Sequence, residues 1–261
     1  RLIKTINESF DAFGGVGAPS TWVLSNHDVI RHVTRMGYDE IPKQGDGIGP
    51  KSPQPDEALG QRRGRAASAF MLGLPGGAYI YQGEELGLDQ VEIPFEALRD
   101  PEAIANWPLT LSRDGARTPL PWTAQDEHGG FTTGQPWLPL GEENLARAID
   151  RQQQDPASLL ALTRRLLQLR RDNPALREGD CTAEAVSDAV LVLRRRKDLQ
   201  SIACVFNLSA SPAPWPDQLA PSGAVLAAVN GAEPGHLPPF GALLIVSALI
   251  YALAKAKPTK A

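Results

Sequence analysis

Two short apolar runs flank one helical stretch, and that order limits what the chain can fold into. Residues 21–25 (TWVLS) read as a buried strand, and residues 78–81 (AYIY) as the next one. Between them Asp56 opens a helix. Ala58, Leu59, Ala66, Ala67, Phe70 and Met71 can share one face of it, and Gly73, Pro75 and Gly76 end it. Strand, loop, helix, strand is the pattern of parallel pairing. Parallel strands need helices on their faces, and chemistry gathers at their carboxyl ends. Upstream, residues 2–13 show helical spacing, broken by Gly14, Gly15, Gly17 and Pro19. Residues 38–55 are rich in glycine, proline and charge and read as a long loop, a length that is usually functional or mobile.

Residues 91–139 show little periodicity and suit a long excursion on a rim. Residues 144–171 read as one long helix, with Leu159, Leu160, Leu162, Leu166, Leu167 and Leu169 on its apolar face. Within it, Asp155 before Pro156 suggests a capped start. After Asn173-Pro174 the character changes. Short apolar runs at 189–193, 202–206 and 243–246 alternate with turn residues and no long helix, which predicts a small antiparallel β domain. The expected division is 1–172, 173–248 and a tail, 249–261.

Composition narrows the function classes. The chain has 261 residues, 42% hydrophobic and 21% charged, enough for one or two ordinary globular domains. Its net charge of −4, with no basic stripe among aromatics, argues against nucleic acid as a partner. Cys181 and Cys204 form no disulfide framework or metal-ligand spacing, so a reducing, cytoplasmic setting is expected. The chain opens on Arg1, and RLIKTINESF lacks the apolar core of a signal peptide, so the start reads as a cut in a longer protein. Residues 241–254 are apolar and precede Lys255, Lys257 and Lys260, but they fall short of the roughly 20 residues that span a bilayer. A last strand followed by a loose or helical tail is expected there, and no membrane partner.

The first strand runs directly into Asn26-His27-Asp28, with Arg31 three residues on. An Asp there is either a turn former or a working carboxylate. In the second case it would steady a developing oxocarbenium ion, with imidazole and guanidinium donors on sugar hydroxyls. Glu84 and Glu85 follow the second strand. They could be an acid and a base, but adjacent residues on an extended chain point apart, which favours structural support. Residues 113–119 (RDGARTP), with Trp122 close behind, form a polar turn that could line a sugar site or clamp the rim by salt bridges. His32, His128 and His236 are isolated, with no metal-site spacing.

Together, TWVLSNHDVIRHVTRMG, GGAYIYQGEELGL and SRDGARTPLPW resemble the α-glucosidase branch of the α-amylase superfamily of glycoside hydrolases. DNPALREGD, LVLRRR and VFNLS resemble the start and strands of that family's carboxyl-terminal β domain. The resemblance implies an α/β fold: the seventh and eighth βα units of a (β/α)8 TIM barrel, then a small antiparallel β-sandwich. It implies a retaining enzyme that removes terminal α-linked glucose from malto-oligosaccharides or α-glucosides. Asp28 matches the transition-state stabiliser. His27, Arg31, Asn26 and Arg113 are the implied substrate-binding residues, and no cofactor or metal is implied. The family's nucleophile lies in a G-x-R-x-D strand end and its acid/base Glu follows, both ahead of the NHD strand. Nothing before Thr21 matches either. A fragment inactive alone is therefore expected, with free strand edges that an amino-terminal piece would complete. The rival readings are a non-catalytic sugar- or partner-binding remnant and part of a trehalose-synthase-like transglycosylase.

Overall fold

The computed structural model describes residues 2–40, 47–49, 51–109, 111–219 and 221–247. The tail expected at 249–261, and part of the 38–55 loop, lie outside the described residues. Helix α1 (Leu2–Gly14) leads to strand β1 (Thr21–Val23), the short α2 (His32–Met36), α3 (Glu57–Gly73) and β2 (Gly77–Tyr79). After a rim excursion that carries α4 (Pro101–Asn106) come α5 (Ile149–Gln154), α6 (Leu159–Asp172) and α7 (Pro174–Glu178). Strands β3 (Asp180–Ala185), β4 (Val190–Lys197), β5 (Gln200–Asn207), β6 (Val225–Val229) and β7 (Ala242–Val246) follow. Strands β1 and β2 pair in parallel, Trp22 opposite Ala78. The other five form one antiparallel sheet in the order β3-β4-β5-β7-β6. The architecture is thus a partial β/α barrel with an appended antiparallel β domain.

The five-stranded sheet holds the centre of the molecule because its inner strands are apolar on both faces. Leu191, Leu193, Ile202, Cys204, Phe206 and Leu244 point to one side, where they meet α3 and α6. Val190, Val192, Ala203, Val205, Leu243 and Ile245 point to the other. That second side is covered by the segment between β5 and β7, which is stitched by the bridges Ala213–Leu237 and Glu233–His236. The outer strands β3 and β6 were not expected. β3 is an edge strand reading DCTAEA, with Asp180 and Glu184 exposed, so it lacks an apolar run.

Three expectations need correction. The first strand is not buried: Val23 is 50% exposed and Tyr79, on β2, is 66% exposed. A two-stranded sheet has no further strands to cover them. Trp22 alone is anchored, edge-on against Phe10 and donating its indole N–H to the Pro75 carbonyl at 2.7 Å. The long helix of 144–171 is broken. A 3-10 segment (Glu142–Arg147) and α5 precede a turn, and α6 starts only after Ser158, whose hydroxyl accepts from Ala161 N at 3.1 Å. Asp155 instead holds the turn, accepting from Ala157 N at 2.8 Å. Finally, the buried face of α3 is shifted toward small residues, with Gly60, Gly64, Ala66, Ala69 and Met71 inward and Ala58 exposed. A Cβ on Gly60 would lie 2.3 Å from the Val33 carbonyl oxygen, so glycine is what lets α2 pack this closely.

Two arginines, one buried and one partly buried, close the seam between barrel helix and sheet. Arg195, fully buried on β4, donates to the carbonyls of Gly73 (2.8 Å), Gly179 (2.9 Å) and Asp180 (3.4 Å). Arg170, on α6, donates to Leu72 (2.8 Å), Leu74 (2.6 Å) and Gly76. The end of α3 has orphan carbonyls and a partial negative charge, and both guanidiniums answer it. Arg195→Met should therefore leave buried carbonyls without donors and cost about 3 kcal/mol in urea unfolding. A change within about 0.5 kcal/mol would show that Arg195 is not part of the seam's stability.

Candidate functional site at the strand ends

Because β1 and β2 run in parallel, their carboxyl ends open on the same side. The chain leaving β1 turns at Asn26, whose side-chain oxygen accepts the Asp28 N–H at 2.8 Å. That local turn sets His27 and Asp28 outward, and the Asp28 carboxylate is 48% exposed. Its Oδ1 accepts from Arg113 Nη1 at 3.1 Å and from Arg117 Nη2 at 3.3 Å. Its Oδ2 lies 3.2 Å from His27 Nε2. Arg117 also donates through Nε to the His27 carbonyl at 2.9 Å, so one arginine fixes both residues of the pair.

Behind this front stands a buried polar layer. Asp100 caps the amino end of α4, its Oδ1 accepting the Glu102 N–H at 3.2 Å. Its carboxylate grips Arg113 in a fork, Nε to Oδ2 at 2.8 Å and Nη2 to Oδ1 at 2.7 Å. The Arg113 hydrogen bonds hold the Asp100 carboxyl well below the usual carboxylate range, outweighing burial, which acts the other way. Asp114, also buried, accepts from the backbone N–H groups of Arg99 (2.7 Å) and Asp100 (2.8 Å) and lies 3.5 Å from Arg117 Nη1. With Glu102 3.7 Å from Arg113, four carboxylates surround two guanidiniums. The excess charge is negative, as a site facing a developing cation needs.

The expected site residues separate into those at the front and those behind it. Asn26, His27, Asp28 and Arg113 come together. Arg113, expected to bind substrate, commits most of its donors to Asp100 and Asp28 and acts first as a positioning group. Arg31 is not with them, and the expectation that its side chain meets sugar is corrected. It is 2% exposed and clamps the backbone, donating to Gln82 O at 2.8 Å and Ala116 O at 3.0 Å across the Tyr81 ring. Gly83, at φ +86°, makes room for it, since a Cβ there would lie 2.6 Å from Arg31 Nη1. Trp122 is half-exposed, with its backbone bonded to Gly129 and Asp150.

Glu84 and Glu85 do not form an acid-base pair on the rim. Glu84 is buried, accepts from Tyr81 N at 3.0 Å and lies 3.6 Å from His32 Nδ1. Glu85 folds back to accept from Gly83 N at 2.8 Å. Burial pushes Glu84 up to about 7 and His32 down to about 3. His32, isolated in sequence, thus lies against Glu84 in space without a hydrogen bond to it. Asp100 is absent from the sequence reading, and Arg117 enters it only as part of the 113–119 polar turn. The signal for Asp100 was present in Asp100-Pro101-Glu102, the spelling of a capped helix start. Among the described residues no group of three or more His, Cys, Asp or Glu side chains could hold a metal ion.

Two parallel strands that deliver a carboxylate-imidazole pair at their carboxyl ends, followed by an antiparallel domain, define part of a β/α-barrel protein. The chain belongs to the alpha-amylase family: the model of the alpha amylase catalytic domain matches residues 1–179. A probable alpha-glucosidase of Rhizobium meliloti (strain 1021) is 36% identical over 188 residues, covering 72% of this chain and 31% of the relative. A probable oligo-1,6-glucosidase 2 of Bacillus subtilis (strain 168) is 32% identical over 218 residues, covering 76% and 36%. Among solved structures, the alpha-glucosyl transfer enzyme XgtA is 34% identical, with a TM-score of 0.70 over 94% of this chain and 44% of that one. The chain spans about a third of the length of the curated relatives it matches.

The Asp100-Arg113 fork has a pH signature. Because the folded carboxyl is held below its unfolded value, its contribution is complete above about pH 4 and is lost as pH falls further. Asp100→Asn should cost about 2 kcal/mol at pH 7 in urea unfolding, and the gap to the unsubstituted chain should narrow steadily below about pH 4. A gap that stays constant down to pH 2.5 would contradict the assignment.

Proposed function

We propose that this chain supplies the charge-stabilising part of the active site of a retaining α-glucosidase that acts on malto-oligosaccharides or α-glucosides. The observation that carries the reading is the Asp28 carboxylate, outward at a strand's carboxyl end and held by two guanidiniums beside an imidazole. As the bond to the leaving group breaks, positive charge builds on the glucosyl ring. A fixed carboxylate needs no reorganisation to meet that charge. His27, 66% exposed, and the Asn26 amide N–H group, which has no partner among the described residues, would take ring hydroxyls, and Arg113 holds the carboxylate in line. The nucleophile and the acid/base come from a further segment or partner, which also pairs the open edges of β1 and β2. The two free cysteines suit a reducing, cytoplasmic setting.

The likeness to XgtA supports a second reading, glucosyl transfer in place of hydrolysis. The two share the Asp28 role and differ in the acceptor, water or a second hydroxyl compound.

Residues 1–261 alone should release no p-nitrophenol from p-nitrophenyl α-glucoside. In the protein with a complete barrel, Asp28→Asn should lower turnover by about 10³-fold with little change in KM. Substantial release by the chain alone would overturn the fragment reading, and near-normal turnover of the variant would remove Asp28 from the mechanism as described.

A further inference from the structure

A hollow of about 410 Å³ lies where α3, α6 and β6 meet. Two arginines line it, Arg65 from α3 and Arg165 from α6. Arg165, exposed on α6, donates through Nε and Nη2 to the Leu226 carbonyl, at 3.2 and 3.1 Å, and its Nη1 makes no hydrogen bond among the described residues. Arg65 makes no side-chain hydrogen bond or ion pair among the described residues, though it is largely packed away from water. Burial works against its charge, and Asp155 opposes that effect only from beyond ion-pairing distance. The rest of the wall is Asn230 and apolar or small residues, among them Pro156, Leu162, Ala227 and Gly231, the last at φ +77° in the turn that follows β6. Arg170 and Arg195 belong to the same seam, but their donors are taken by carbonyls. Arg65 and Arg165 thus line one hollow, each with donors that no described residue takes.

We propose that this hollow binds a phosphate-sized oxyanion, free or as the phosphomonoester of a small molecule, at the joint between the barrel helices and the β domain. Two guanidiniums can grip tetrahedral oxygens with several charge-assisted hydrogen bonds, and a bound anion would relieve the strain of packing Arg65 charged. The hollow touches α3, α6 and β6 together, so the ligand would tie the two parts of the chain to each other. This inference does not rest on the reading of Asp28.

The test is calorimetric titration of the chain with inorganic phosphate, with glucose 6-phosphate and with glucose. Saturable binding of inorganic phosphate is expected, lost by at least about tenfold in Arg65→Gln and in Arg165→Gln, retained within about threefold in Arg65→Lys, and weakened by added salt. Tighter binding of glucose 6-phosphate than of phosphate would assign the site to a phosphomonoester, and equal binding to the free ion. Amide shifts in a ¹⁵N-labelled sample locate the ligand without substitution and should cluster at residues 157–165 and 226–231. No saturation by 20 mM phosphate (roughly the weakest affinity worth about 2 kcal/mol), shifts elsewhere, or binding that follows glucose alone would overturn the proposal.

Discussion

The rim depends on one forked ion pair. Asp100 is buried, it caps α4, and it holds Arg113 through two short hydrogen bonds. Arg113 then reaches Asp28 across the site. A carboxylate half open to water gains little from an exposed ion pair, because solvent screens it and the side chains must be ordered. The fork changes that balance, since Arg113 is already ordered by a partner that water does not reach. Asp114 extends the same logic to the backbone, bonding the N–H groups of Arg99 and Asp100. The excursion that carries these residues has a small apolar cluster of its own, built on Val91, Ile93, Leu98, Ala103 and Leu138. Buried charge therefore takes over part of the ordering that a larger apolar core would provide.

The site and the stability of the chain are held in different places. The main apolar core joins α3 and α6 to one face of the five-stranded sheet, with Phe70 edge-on against Phe206 at 5.2 Å. Arg170 and Arg195 secure the same seam. The two parallel strands contribute three residue pairs and leave Val23 and Tyr79 exposed. The strand pair presents Asp28 but adds little buried area. This arrangement fits a chain whose β1 and β2 expect further strands beside them.

Sequence patterns revealed those elements whose physics is local. The parallel unit was visible because an apolar run, a capped helix and a second run occur in order. The inner strands β4, β5 and β7 were visible because both faces are apolar. Strand β3 was hidden because an edge strand needs one apolar face at most, and the short β6, though apolar, lies in a stretch rich in alanine, glycine and proline. The helix face of α3 was misplaced because its inward glycines carry no hydrophobic signal, although they allow α2 to approach. At the site, the NHD string displayed Asp28 and His27. It could not display Arg113 and Asp100 as their support, since that contact spans residues 28, 100 and 113. Arg31 was misassigned for a related reason: its position three residues after Asp28 suggests shared access to solvent, but its side chain is buried against the carbonyls of Gln82 and Ala116 while that of Asp28 is half-exposed.

The account centres on charge: Asp28 is held outward so that a negative group meets a positively charged glucosyl ring. The most direct measurement is a calorimetric titration of the barrel-complete protein with a glucose-shaped iminosugar, which is cationic, and in parallel with neutral glucose. The account predicts that Asp28→Asn weakens the cation by about 100-fold or more and glucose by less than about threefold. Equal losses for the two ligands, or an unchanged affinity for the cation, would contradict it.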